Sequence, residues 1–208
     1  MHLEVARRDT RAWRAGVRLA QRTYQDQFDA RIDPAPDAAL ILSEQDPRTL
    51  GPDDELDGAV AGLTFANQGP LFAEHYLDVP IETALAPFAG EELSRSQIVE
   101  VGPLASSTVG AGGRLVSLLG AMCWCQGAKA AVFTVTRPLH LMLRRSGIST
   151  EVICHATEAR LPAELRGDWG RYYNLDPVTV YTDINQHMGD ALSLLSGQSP
   201  LAGTAGRA

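Results

Sequence analysis

A chain of 208 residues with 25 acidic and 18 basic side chains, net charge −7, is long enough for one buried core and has the wrong sign for a nucleic-acid surface. No stretch interleaves Lys and Arg with aromatics, the apolar runs fall short of a bilayer span, and the four arginines within Met1–Arg14 are followed by no apolar block, so neither a membrane helix nor a signal peptide is expected. The cytoplasm is the expected location. Cys123, Cys125 and Cys154 are an odd number, and Cys123-x-Cys125 points to two faces of a helix, so buried thiols are expected rather than a disulfide or a metal site.

From Thr10 to Ala30, Trp13, Val17, Ala20, Tyr24 and Phe28 recur at steps of three and four, the period of an amphipathic helix that ends before Pro34. Ala38–Leu42 and Leu56–Phe65 are apolar runs separated by turn-rich sequence and predict a two-stranded hairpin. Pro70 to Phe88 mixes aromatics with acids between prolines and predicts short helices or an ordered loop. Ile98–Ala105 predicts a strand, a glycine-rich turn leads into an apolar helix, and Ala131–Thr136 predicts the next strand. Leu139–Ser146 reads as a short helix with Gly147 at its C-terminal cap, Val152–His155 as a strand, Pro162–Tyr173 as an aromatic loop, and Val178–Asp183 as a last strand. One domain is expected over 1–187 and a flexible tail over 188–208, where Gly, Ser, Ala and Pro leave little to bury. The element order predicts an α/β fold with a mixed sheet flanked by helices.

The segment 98–136 points to chemistry. A helix that opens on Gly110, Ala111, Gly112, Gly113 and Arg114 presents unpaired backbone N–H groups to the turn, a seat for a phosphate. The spacing is neither that of a dinucleotide-binding fingerprint nor that of a Walker loop. A phosphopantetheine-binding turn remains. Glu100, between Val99 and Val101, is a carboxylate in a strand that should be buried. Burial disfavours its charged form, which suits a general base that takes a proton from an ammonium near neutral pH. Its alternative is an ion pair with Arg95 or Arg137.

Strand, phosphate turn and helix in this order resemble the GCN5-related N-acetyltransferase (GNAT) fold with its splayed central sheet. Within it, Leu71-Phe72-Ala73-Glu74-His75-Tyr76-Leu77-Asp78, Ile98-Val99-Glu100-Val101-Gly102-Pro103-Leu104-Ala105, Phe133-Thr134-Val135-Thr136 and Trp169-Gly170-Arg171-Tyr172-Tyr173 resemble the thermostable hemolysin family. That family is similar to the acyl-homoserine-lactone synthases, whose Glu-x-Ser-Arg phrase is spelled here by Glu92-Leu93-Ser94-Arg95, although Glu100 holds the matching position relative to the glycine turn.

The resemblance implies an N-acyltransferase that takes an acyl group from acyl carrier protein or coenzyme A, with no permanently bound cofactor, to the amine of an amino acid or related metabolite. It implies Glu100 and Glu74 as catalytic residues. Val101, Leu104, Ala105 and Gly110–Arg114 would hold the pantetheine arm and its phosphate, and freed N–H groups beside Gly102 and Pro103 would face the thioester carbonyl. Arg95, Tyr76, Thr136, Trp169, Tyr172 and Tyr173 would line the substrate side, although a cluster such as Trp169, Tyr172 and Tyr173 more often closes the edge of a core. Ser107 stands where coenzyme A enzymes carry Arg or Gln, which favours a single phosphate and hence a carrier protein. The rival implication is a non-catalytic lipid- or membrane-active protein, or one that only binds an acyl thioester.

Overall fold

β2 (Ala38–Ser43) and β3 (Gly58–Phe65) bury nearly every side chain, as strands covered on both faces must. In the computed structural model, which describes residues 1–186, these strands lie in a seven-stranded sheet. The others are β1 (His2–Arg7), β4 (Ile98–Ser106), β5 (Ala130–Val135), β6 (Glu151–His155) and β7 (Val178–Asp183), in the order β1-β2-β3-β4-β5-β7-β6. Among the described strands only β4 and β5 run parallel.

The two-residue period of β2 divides the core. Ala39 and Ile41 meet α1 (Arg11–Phe28) with its Trp13, Leu19 and Ala20, while Leu40 and Leu42 face Leu115 and Leu119 of α3 (Ala111–Cys125). Along β4, Val99 and Val101 join the α3 side. Ile98 turns to the other face, where Leu71, Ile81 and Leu85 pack from α2 (Ile81–Ala89) and the tight helical turn Phe72–Tyr76 before it. Glu100 is on that same face by the strand period. Thr10 caps α1 by accepting the Trp13 N–H at 3.3 Å, and Asp29 ends it in the left-handed conformation at φ 58°.

Two irregularities shape the middle of the sheet. The β4–β5 ladder lasts for three residue pairs, Ile98 with Ala130, Val99 with Ala131 and Glu100 with Val132, and then the strands separate. Against β3, Gly62 alone stands opposite both Gly102 and Pro103, because the register passes from Leu63–Val101 directly to Ala61–Leu104. A Cβ on Gly62 would overlap the Gly102 carbonyl, so this bulge requires glycine.

The hairpin, the central strands, the segment of short helices and the last strands stand where the sequence predicts them; α4 (Arg137–Arg145) begins two residues early. β1 is unpredicted: an edge strand of six residues with exposed ends carries too little alternation to register. The expectation of three buried thiols is corrected, since Cys123 is buried but Cys125 is exposed and Cys154 half-buried. The predicted tail over 188–208 lies outside the described residues. No helix among the described residues is long and apolar enough to cross a membrane.

Overpacking a tight site costs ~1–3 kcal/mol, and a domain of this size loses ~2–4 °C of Tm per kcal/mol. Gly62→Ala is therefore expected to lower the melting temperature by several degrees in a thermal scan; an unchanged value would show that the bulge closes without strain.

Candidate active site

Glu100 is only 7 % exposed, yet its side chain lines a cavity of about 440 Å³. The remaining walls come from three places. Tyr24 of α1 and the loop 31–36 form one, Leu71, Phe72, His75 and Tyr76 a second, and Leu165, Asp168, Trp169 and Tyr172 a third, with Thr64, Gly102, Pro103 and Thr134 from the strands beneath. The Ala73 N–H donates to Glu100 Oε1 at 3.0 Å, and the Phe72 N–H also points at the carboxylate. No cation pairs with it among the described residues: the guanidinium of Arg95 is directed to Glu74 and Glu82. Burial, opposed only by these two N–H groups and reinforced by the negative charge of Glu74, pushes the Glu100 carboxyl up to about 7.

Glu74, expected as catalytic, and Arg95, expected on the substrate side, are paired with each other, and neither lines the cavity. Arg95 Nη1 and Nη2 grip Glu74 at 2.9 and 3.0 Å, and Nη1 reaches Glu82 at 2.8 Å. Glu74 also accepts the N–H groups of Leu71 and Ile81 at 2.7 and 3.0 Å. Hydrogen bonding from Arg95 holds the Glu74 carboxyl down at about 2, so it is held as an anion, and Glu74 is not among the residues that line the cavity. Glu92-Leu93-Ser94-Arg95 precedes β4 and leads into a tight turn, so the strand position belongs to Glu100.

The aromatic residues divide. Tyr76, Trp169 and Tyr172 line the cavity. Tyr173 does not; its hydroxyl pairs with that of Tyr76 at 2.6 Å. Thr136 is buried at the N-cap of α4, away from the cavity, and Thr134 takes its place, with its carbonyl accepting the Tyr172 hydroxyl at 3.0 Å. The sequence reading did not single out Tyr24, Phe72, Thr134 or the loop 31–36, although the two-residue period of β5 puts Thr134 and Thr136 on one face and leaves only depth to separate them.

The donor side follows from the split between β4 and β5. Ser107 N–H donates to the Gly58 carbonyl at 2.9 Å, and alternation along the antiparallel pair then turns the Leu104 N–H away from β3. Its proximity slightly offsets the upward push that burial gives the Tyr24 hydroxyl. The side chains of Val101 and Ala105 are buried in the cores on opposite faces. Gly110, at φ 78°, caps α3, and the N–H groups of Gly112 and Gly113 have no acceptor among the described residues. Arg114 projects from this first turn into solvent, and the whole turn lies outside the cavity lining. Ser107 is tied back to β3, its Oγ accepting the Gly58 N–H at 3.1 Å.

The profile of the family described as thermostable hemolysin matches residues 6–188. The chain belongs to the thermostable hemolysin family. No curated protein matches the sequence. Among solved structures, the AHL synthase LasI is 13% identical and superposes with a TM-score of 0.60 over 96% of this chain and 96% of that one. FeeM, an N-acyl amino acid synthase from uncultured soil microbes, is 14% identical with a TM-score of 0.55 over 91% of this chain and 98% of that one. The CoA-dependent acyl-homoserine lactone synthase BjaI, with MTA, is 14% identical with a TM-score of 0.53, over 91% and 84%. This chain thus shares the fold of these synthases, a mixed sheet whose central strands separate.

Burial of Glu100 carries a stability consequence with a definite sign. An unfolded glutamate titrates near ~4.3, whereas the folded carboxyl holds its proton up to about 7. The folded state therefore binds more protons between these values, and this group costs stability as pH rises from about 4 to about 7. Glu100→Gln removes that cost. Its melting temperature is expected to exceed that of the wild type at pH 8, with the gap closing toward pH 4; a less stable variant at pH 8 would identify the carboxylate as a structural partner.

Proposed function

We propose that the protein is an N-acyltransferase in which an acyl thioester and an amine meet where β4 leaves β5. The observation that carries this reading is Glu100: a buried carboxylate that pairs with no cation among the described residues, opening on a cavity at the point where the sheet splits. The amine nitrogen attacks the thioester carbonyl carbon, the C–S bond breaks, the thiol departs, and Glu100 takes the proton that the ammonium must lose. The Leu104 N–H, outside the β3 ladder, is the donor for the developing oxyanion. In this reading Tyr24 gives up its contact with that N–H to the thioester.

The cavity suits a small amine with an apolar or aromatic body, with Phe72, Trp169 and Tyr172 offering ring faces and Tyr76 a polar tip. FeeM, described as an N-acyl amino acid synthase, supports an amino acid as acceptor. Gly110, Ala111, Gly112, Gly113 and Arg114 take the phosphate of the phosphopantetheine arm. BjaI is described with SAM and isopentyl-CoA, which supports coenzyme A as one donor. Ser107, engaged with Gly58, offers no grip on a pyrophosphate. Arg137, Arg144 and Arg145, exposed on α4 of an acidic protein, suit an acidic carrier protein. Both donors occur in the cytoplasm, the setting this reading assigns.

Mass spectrometry after incubation with acyl groups of graded length, on coenzyme A and on carrier protein, and pooled amino acids tests the reading; an absence of any acylated amine would refute it. Glu100→Gln is expected to lower turnover ~10²–10⁴-fold while thioester binding persists, and a variant with wild-type turnover would exclude Glu100 as the base. Arg114→Ala removes a charge-assisted contact typically worth ~1.5–3 kcal/mol, so the thioester KM should rise roughly ten- to hundred-fold. An unchanged KM would remove Arg114 from the donor site.

A further inference from the structure

Five residues of tight helical turn are poorly rigid on their own, since their hydrogen-bond geometry is weaker than that of an α-helix. Yet the turn Phe72–Tyr76 supplies both N–H groups that meet Glu100. What holds it in place lies outside the cavity. Glu74 ties the turn to both neighbours through the N–H groups of Leu71 and Ile81. Arg95 takes Glu74 in a two-pronged grip and also donates to the carbonyls of Ala66 and Gly69, at 2.7 and 2.9 Å, and to Glu82. One guanidinium thus pins the chain from 66 to 82 against the start of β4. On the opposite side the Tyr173 hydroxyl holds that of Tyr76 at 2.6 Å, and Arg160 donates to the Tyr76 carbonyl at 3.2 Å.

We infer that Glu74 and Tyr173 are positioning residues of the acyltransferase site, which clamp this turn from two sides so that its N–H groups fix the Glu100 carboxylate. The catalytic consequence rests on the acyltransferase reading; the positioning itself does not. The titratable groups facing Glu100 are Glu74, His75 and Tyr76 from the turn, Tyr172 from the aromatic segment and Tyr24 from α1. Arg31, Asp33 and Asp168 complete the charged lining.

Charge and position make opposite demands on Glu100. Glu74 carries a like charge, so removing that charge alone would lower the Glu100 titration midpoint. Loosening the turn withdraws two N–H donors and would raise it. Tyr173→Phe leaves the charges untouched and tests position alone.

The test follows the side-chain carboxyl ¹³C shift of Glu100 against pH in glutamate-labelled full-length protein, with the resonance assigned by its loss in Glu100→Gln. In both Glu74→Gln and Tyr173→Phe the midpoint is expected above that of the wild type. Turnover with decanoyl-coenzyme A, decanoyl carrier protein and pooled amino acids should fall about ten- to hundred-fold, the size of a small misplacement, with donor KM little changed. A midpoint that stays or falls in either variant overturns the assignment for that residue. Should Glu74→Gln fail to fold, Tyr173→Phe decides. Absence of any acylated amine with the wild-type protein would end the acyltransferase reading, a failure distinct from an unmoved midpoint, and undiminished turnover in Glu100→Gln would exclude only Glu100 as the base.

Discussion

A parallel pair of strands that stays hydrogen-bonded for only three residue pairs leaves polar backbone facing a gap, and the fold is organised around that gap. Past Glu100, β4 cannot follow β5, because the bulge opposite Gly62 bends it and Pro103 has no N–H to donate. The buried backbone exposed by the split needs partners. Tyr172 donates to the Thr134 carbonyl, so the segment before β7 is tied to one lip, and Tyr24 of α1 lines the cavity on the other side. The cavity is the space these two elements leave between them.

Within this space Glu100 is solvated by backbone instead of by a cation. Two amide donors make the carboxylate tolerable, yet are too weak to keep it permanently charged against burial. On the neighbouring turn, Glu74 has the contrary environment, a bidentate arginine and two further N–H donors, and is held as an anion. Two glutamates on neighbouring elements are thereby separated, by their partners alone, into one whose carboxyl is pushed up to about 7 and one held as an anion.

The helical period of α1, the hairpin runs, the glycine-opened helix α3 and the last strand were all legible, because each depends on local spacing and turn chemistry. The edge strand β1 was not, since six residues with exposed ends bury too little to impose a pattern. Among site residues, Glu100 and the turn Gly110–Arg114 stood out through an unexpected carboxylate in an apolar strand and glycines at a helix start. Glu74, Arg95 and Thr136 were placed in the site on the phrases that contain them, and such phrases do not say which way a side chain turns.

The sequence by itself determined the kinds of elements, their order and the strand that carries a buried acid, since these follow from periodicity, caps and composition along the chain. Tertiary structure alone decided which acid is free. Arg95 is 21 residues from Glu74 and five from Glu100, yet it chooses the distant one, because β4 sends Glu100 into the cavity while the turn before α2 folds Glu74 back over the start of the strand. Through-space partners set the desolvation and pairing of each carboxylate, and no local pattern encodes them.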